Sequence, residues 1–235
     1  MYRGKRVLLM TGAFNEEGKI GRTVRKVPWD IVDEFVVVDD GSTDDTGNEA
    51  REAGATVLRN DVNRGPGFLT RRVQAYAMER KYDIIVAIAG DDQDEPAEIP
   101  LLLDPLFEGN DLVQGSRYLE GDPDIPLFRR VTTRLFTITF RLVTGKKVTD
   151  ASNGFRAYKI KLVEELDLSA PWLDRYEFEP YMLIQAVKRY QYTEVPVTKR
   201  FDQKKGYSKM RPFLDWYSIL RPLLREGVLR LTGRA

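Results

Sequence analysis

The first half of the chain alternates short apolar runs with longer stretches in which apolar residues recur every three or four positions. The runs at 7–10, 35–38, 55–58, 84–88 and 112–113 are too short for helices and predict buried strands. Between them, residues 16–27, 43–53, 69–81 and 96–107 carry the helical period. Ser42 and Thr43 are placed to cap the second of these helices, and Pro96 suits a first helical turn. Strands and helices alternating at this spacing predict βαβ units and a mainly parallel sheet. Ligands of such sheets bind outside the carboxyl ends of the strands.

After Arg129 the pattern changes. Residues 127–143 are apolar and basic without one acid, and a polar Gly/Asn stretch follows at 149–154. Residues 155–158 and 192–197 predict further strands, 176–190 a helix and 212–231 a last helix. No internal repeat or low-complexity linker interrupts the chain. The expectation is one α/β domain over 1–200, divided near residue 118, with a basic amphipathic helical appendage over 201–235.

Composition narrows the chemistry. The 235 residues include no cysteine and no histidine. Disulfides, Cys/His zinc sites, Cys or His nucleophiles and a Ser-His-Asp triad are excluded. A metal would sit on oxygen ligands, which favours Mg²⁺ or Mn²⁺. The net charge of +1 hides a division: residues 1–128 carry 15 Lys/Arg against 25 Asp/Glu, and residues 129–235 carry 22 against 11. That division fits a metal handled in the first half and anions in the second. Residues 1–10 are too short and too charged for a signal peptide, and no run of 18 apolar residues exists. The missing cysteine is compatible with a reducing cytoplasm.

The densest chemistry follows the second apolar run: Phe35-Val36-Val37-Val38-Asp39-Asp40-Gly41-Ser42-Thr43-Asp44-Asp45-Thr46. Asp39 and Asp40 at a strand end can accept hydrogen bonds from a nucleoside's base or ribose, and the helix start beyond offers free backbone N–H groups. The same residue types also cap helices and make turns. Here the chain resembles family 2 of the GT-A glycosyltransferases, in which a strand ending in VVDDGSTDDT is a hallmark. Phe14-Asn15-Glu16-Glu17 stands where the family has P-x-Y-N-E, which makes Phe14 and Glu16 nucleotide-side candidates. Asn63-Arg64-Gly65-Pro66-Gly67 stands where it has N-x-G-K-G. Pro66 replaces the Lys, leaving Arg64 as the neighbour able to serve the phosphates. Gly115-Ser116-Arg117-Tyr118 resembles the G-S-R-Y of dolichyl-phosphate mannose synthases. Ser152-Asn153-Gly154-Phe155-Arg156 and Gly206-Tyr207-Ser208-Lys209 are similar to the later S-G-F and G-x-S-K stretches.

The resemblance implies a nucleotide diphosphate sugar (GDP- or UDP-linked) as donor. Its departing diphosphate gathers negative charge, which a hard divalent cation stabilises. The family's metal motif, approximately D-x-D-x-Q-H-x-P, falls on Ala89-Gly90-Asp91-Asp92-Gln93-Asp94-Glu95-Pro96. Asp91 and Gln93 become the metal candidates, and Asp91 also a nucleotide-side and catalytic one. Ala89 replaces the first Asp and Asp94 the His. Asp92 or Asp94 could fill the lost place with a small shift.

On the acceptor side, an Arg fork binds phosphate bidentately, and by the resemblance Arg117 meets an acceptor phosphate and takes part in catalysis. Arg130, Arg200, Ser208 and Lys209 are further candidates for phosphate. Between 129 and 147 lie six Lys/Arg and no acid, interleaved with Leu135, Phe136, Ile138, Phe140 and Leu142. Basic heads on apolar stems suit a membrane surface, and so would a core helix with a solvated edge. The 212–231 helix repeats the choice, with packing on the domain or on a partner subunit as alternatives.

The resemblance thus implies an α/β, GT-A, metal-dependent glycosyltransferase inverting the anomeric carbon. Its nucleotide-sugar and metal half is 1–118 and its acceptor half 119–200. The expected acceptor is a polyprenyl or dolichyl phosphate at the cytoplasmic membrane face, with the protein peripheral there, alone, as a homo-oligomer or with a membrane subunit. Nucleic acid is not an expected partner. A hydroxyl acceptor needs a carboxylate base, for which Glu177, Glu179 and Asp150 are candidates. Ala89 and Pro66 keep a third reading open, a nucleotide-sugar-binding module without turnover.

Overall fold

The computed structural model describes residues 1–121, 125–200 and 214–233. Seven strands form one sheet: β1 (Val7–Ala13), β2 (Glu34–Asp39), β3 (Thr56–Arg59), β4 (Ile84–Ala87), β5 (Leu112–Ser116), β6 (Arg156–Lys159) and β7 (Tyr192–Pro196). The helices are α1 (Ile20–Arg25), α2 (Thr46–Glu52), α3 (Pro66–Glu79), α4 (Ile99–Phe107), α5 (Leu127–Thr144), α6 (Ile160–Glu165), α7 (Phe178–Arg189) and α8 (Leu214–Leu231).

Strand order is β3-β2-β1-β4-β6-β5-β7. Every pair is parallel except those of β6, which opposes β4 and β5. The uninterrupted apolar runs explain the sheet's central position. Successive side chains of a strand face opposite sides. Leu8, Val36, Val38 and Ile85 therefore enter one core and Leu9, Phe35, Val37 and Val86 the other. A strand covered on both faces needs no polar alternation.

The strands lie within a residue or two of expectation at their starts, but several helices start later. Residues 14–18 form a loop rather than helix, with Asn15 in the left-handed region at φ 53°. Ser42 and Thr43 do not cap α2, correcting the sequence reading. Ser42 Oγ accepts the Asn15 N–H (3.0 Å), the Thr43 N–H donates to Asn15 Oδ1 (2.9 Å), and Asp45 occupies the cap position, its carboxylate accepting from Asn48 Nδ2 (2.7 Å) rather than from a helix N–H. Pro96–Glu98 is a 3₁₀ turn, and the α-helix begins at Ile99. The six-residue α6 was not anticipated. At the start of α3, Gly67 has no alternative: a Cβ there would lie 1.8 Å from the Leu173 carbonyl oxygen. This close approach seats α3 against the 171–175 turn, where the Phe68 N–H donates to Asp174 O (2.8 Å).

Helices α5 and α8 pack together and distribute polarity unusually. Among the described side chains, α5 buries only Thr137 and Phe140, while Phe128 (71%) and Leu142 (72%) head a row of exposed apolar residues continued by Val131, Leu135 and Ile138. On α8 the buried set includes Asp215, Ser218 and Glu226, whereas Trp216, Tyr217, Leu220, Leu224 and Val228 are exposed. Polar contacts hold α8 in place. Glu226 pairs with Lys188 of α7, Arg230 donates to Leu142 O (2.7 Å), and Arg221 and Arg225 lie over the Trp172 ring at 5.0 and 5.2 Å. No helix among the described residues is long and apolar enough to cross a membrane.

Candidate active site

Because β1, β2, β4, β5 and β7 run the same way and β6 runs against them, the ends of the former and the start of the latter share one edge of the sheet. Every described candidate from the strand-end motifs falls along it.

Asp39 and Asp40 build its first wall. Asp39 is fully buried; it accepts the Ser42 N–H (2.9 Å) and pairs with Arg59, which also donates to Ser42 O (2.8 Å). Asp40 accepts from Asn60 Nδ2 (2.8 Å), the Arg64 N–H (2.9 Å) and the Gly65 N–H (2.9 Å). These carboxylates shape the 40–46 and 60–65 loops, and Asp40 sets Arg64 at the entrance of α3. The half-buried Phe14 and Glu16 sit on the facing loop, which is stitched across by Asn15, by Glu16 N–H to Thr46 Oγ1 (2.7 Å) and by Gly18 N–H to Glu49 (2.6 Å). Glu16 also holds Lys19 (2.7 Å).

Beyond β4 comes the acidic loop. Asp92, at φ 62°, turns its buried carboxylate onto Arg22 (2.7 Å) of α1 and Lys26 (2.6 Å) just past its end. Burial opposes its charge, but the bonds from Lys26 and Arg22 prevail and hold its pKa below the usual carboxylate value. Asp94 accepts the Ala89 N–H (2.9 Å) and pairs with Lys199 (2.7 Å), and Glu95 pairs with Arg200 (2.6 Å). Neither Asp92 nor Asp94 fills the place left by Ala89, as the sequence reading allowed. Asp94 does reach back to residue 89, but its carboxylate is held by the backbone and a lysine. The groups of this loop able to offer oxygen to a cation are the half-buried Asp91 carboxylate and the amide of Gln93, which is buried with no hydrogen-bond partner for its Nε2. Among the described residues no group of three or more acids is placed to hold a metal ion. One carboxylate and one amide oxygen do not make an all-protein cage. They do fit Mg²⁺ or Mn²⁺ held jointly with substrate phosphates.

Arg117, at the end of β5, is 5% exposed and bidentate on the fully buried Asp150, with Nε–Oδ2 2.6 Å and Nη2–Oδ1 2.8 Å; Ser152 Oγ accepts a further bond (2.7 Å). Burial opposes the guanidinium's charge, but Asp150 outweighs it and raises the pKa, with Asp94 adding to the same field. Asp150 is fixed in turn by Glu194, which accepts the N–H groups of Thr149 (2.7 Å) and Asp150 (3.1 Å). A cavity of about 170 Å³ opens beside Arg117, lined also by Glu98, Glu120 and Thr198.

The other candidates divide. Arg130 is on the first turn of α5. Arg200 is drawn to the acidic loop, where its N–H donates to Gln93 O (2.8 Å). Ser208 and Lys209 lie outside the described residues. Of the expected bases, Asp150 is paired with Arg117, Glu179 with Arg156 (2.9 Å), and Glu177 is buried 3.9 Å from Arg221. Sequence reasoning missed Arg59, Arg22, Lys26 and Lys199, the cations that answer the buried carboxylates, and Glu194, which holds the backbone at Asp150. Their charge was the only signal, since each lies 20 or more residues along the chain from the group it holds.

The architecture is that of the GT-A fold. Glucosyl-3-phosphoglycerate synthase from Mycobacterium tuberculosis, solved with Mn²⁺, UDP and phosphoglyceric acid, superposes with a TM-score of 0.71 at 22% identity, covering 99% of this chain and 80% of that one. The profile of glycosyl transferase family 2 matches residues 9–167, and the chain belongs to that family. Polyprenol monophosphomannose synthase of Mycolicibacterium smegmatis is 29% identical over 88% of this chain and 81% of its own length. Dolichyl-phosphate hexose transferase of Haloferax volcanii is 28% identical over 95% and 96%. The protein is therefore a glycosyltransferase similar to enzymes that act on polyprenyl phosphates.

Proposed function

We propose that the protein moves a sugar, with inversion, from a GDP- or UDP-linked donor to a polyprenyl or dolichyl phosphate at the cytoplasmic membrane face, assisted by Mg²⁺ or Mn²⁺. The observation that carries the reading is the paired α5/α8 face, which exposes apolar side chains and no acid. The acids of α8, Asp215 and Glu226, are both turned inward, and α5 has none. Apolar area ringed by Arg and Lys is complementary to a surface of anionic headgroups.

The nucleotide would lie along the wall formed by Phe14, Asp39, Asp40 and Arg64. Asp91 and Gln93 would hold the cation, which supplies positive charge to the departing diphosphate. Arg117 and Arg130 stand on the acceptor side, and the tie to Asp150 fixes the Arg117 charge in place. A phosphate oxygen is anionic at neutral pH and attacks without losing a proton. The engagement of Asp150 and Glu179 by arginines fits an acceptor that needs no base.

The test offers polyprenyl phosphate and the matching alcohol, each with GDP- and UDP-sugars and Mn²⁺, and scores product by mass. Glycosylation of the phosphate alone is the expected result; equal glycosylation of the alcohol would favour a hydroxyl acceptor. Donor binding without transfer or hydrolysis would favour the binding module.

A further inference from the structure

The acidic loop concentrates Asp91, Asp92, Asp94 and Glu95 within five positions, where a donor's diphosphate would have to approach. Cations from outside the loop pair with Asp92 (Arg22 and Lys26), Asp94 (Lys199) and Glu95 (Arg200). The last two cations are consecutive residues of one extended strap. Its backbone joins the loop through the Asp94–Lys199 bridge and the Arg200 N–H to Gln93 O bond. The strap is anchored further back by Val197 N–H to Ser116 O (3.0 Å) and Thr198 N–H to Glu98 (2.8 Å). Asp94 is 1% exposed and Lys199 12%, so this pair is shielded from solvent. A buried carboxylate deprived of its cation is strongly unfavourable. Asp94 also holds the Ala89 N–H, so disturbing it releases the loop at its root.

We propose that Lys199 and Arg200 are positioning residues for the donor site. Lys199 neutralises Asp94, and Arg200 grips the Gln93 carbonyl and Glu95, so that the Asp91–Gln93 turn is set for a nucleoside diphosphate with its divalent cation. The proposal rests on the donor reading given above. Lys199 acts through Asp94 rather than by touching phosphate, and this makes the role separable by experiment.

UDP and GDP are titrated calorimetrically into the protein with Mn²⁺, at a temperature where circular dichroism shows each variant folded. Lys199→Met should weaken Mn²⁺-dependent nucleotide affinity about 10–100-fold, the range for loss of a group supporting a metal ligand. Lys199→Arg should restore most of it. The double change Lys199→Met with Asp94→Asn removes the unanswered charge along with its cation and keeps an oxygen for the Ala89 N–H. It should return affinity to within about threefold of the unaltered protein. The double change also carries the test if Lys199→Met alone fails to fold. Unchanged affinity in Lys199→Met overturns the proposal. A double variant as weak as the single one overturns it too, placing the ammonium directly on the diphosphate. If the unaltered protein binds neither nucleotide with Mn²⁺, the donor reading itself falls.

Discussion

The strand-end crevice and the α5/α8 face treat charge and oil in opposite ways. In the crevice, carboxylates are buried and answered from within the chain: Asp39 by Arg59, Asp92 by Arg22 and Lys26, Asp94 by Lys199, Asp150 by Arg117. On the α5/α8 face, apolar side chains are exposed and nothing among the described residues covers them, while α8 hides its acids. Burying an unanswered charge costs several kcal/mol, whereas leaving one Leu in water costs far less. An exposed apolar face is tolerated by the fold alone, yet a contiguous one marks an interaction surface. The crevice is thus finished by its own residues, and the helical face waits for its surroundings.

The strongest way to break this comparison is at the crevice. Asp91→Ala should abolish turnover and Mn²⁺-dependent nucleotide binding, exceeding the roughly 100-fold of an outer-shell loss. Asp45→Ala, on an exposed carboxylate, should leave kcat and nucleotide affinity nearly unchanged. Near-normal activity in Asp91→Ala, measured with both donors, would mean the metal site is wrongly assigned.

The next test lies within α5. Phe140→Ala should cost about 3–5 kcal/mol in denaturant unfolding, since Phe140 is fully buried. Phe128→Ala should stay within about 0.5 kcal/mol while reducing retention on anionic liposomes. A large stability loss at Phe128 would show that the face is covered by the protein itself.

Smaller effects should come from single cations. Lys147→Ala should weaken sedimentation with anionic liposomes by about 1 kcal/mol, near fivefold. High salt should release the unaltered protein, because screening acts over about 8–10 Å. Salt-insensitive retention would favour a purely apolar contact.

The smallest effect sharpens the contrast at the opposite edge of the sheet. Glu34, at the start of β2, is answered by hydroxyls rather than cations: Thr56 (2.6 Å), Tyr76 (2.7 Å) and Tyr82 (2.5 Å). Burial works against its charge, yet these bonds lower its pKa overall. Tyr76 is pushed up to about 12 by burial and by Glu34 and remains a donor. With the folded pKa below the unfolded one, the contribution is complete above about pH 4.3. It is lost as pH falls through the lowered value. Glu34→Gln should remove about 1 kcal/mol above pH 5 and flatten the acid limb of stability; an unchanged acid limb would contradict the assignment.

The strands were legible because a parallel sheet covered on both faces leaves continuous apolar runs such as 35–38. The motif acids were legible because they sit at the ends of those runs. Helix starts were not, since residues 14–18 and 42–46 bond to each other across the crevice and no local rule reports that. The counter-cations were invisible for the same reason: Lys199 lies 105 residues from Asp94. On α8 the two-faced pattern was plain, but periodicity does not say which face turns inward. Here it is the face with Asp215 and Glu226.

The reversed strand β6 has a consequence for how such a molecule can change over time. Because β5 departs and β6 arrives at the same edge, the excursion from Arg117 to Phe155, α5 included, begins and ends beside the crevice. It behaves as a cassette clipped into the sheet at two neighbouring points. Lengthening such a closed excursion costs little, about 0.6 kcal/mol per doubling of a flexible loop. The length and sequence of this stretch can therefore be redrafted while the register of seven strands, and the crevice they frame, stays as it is.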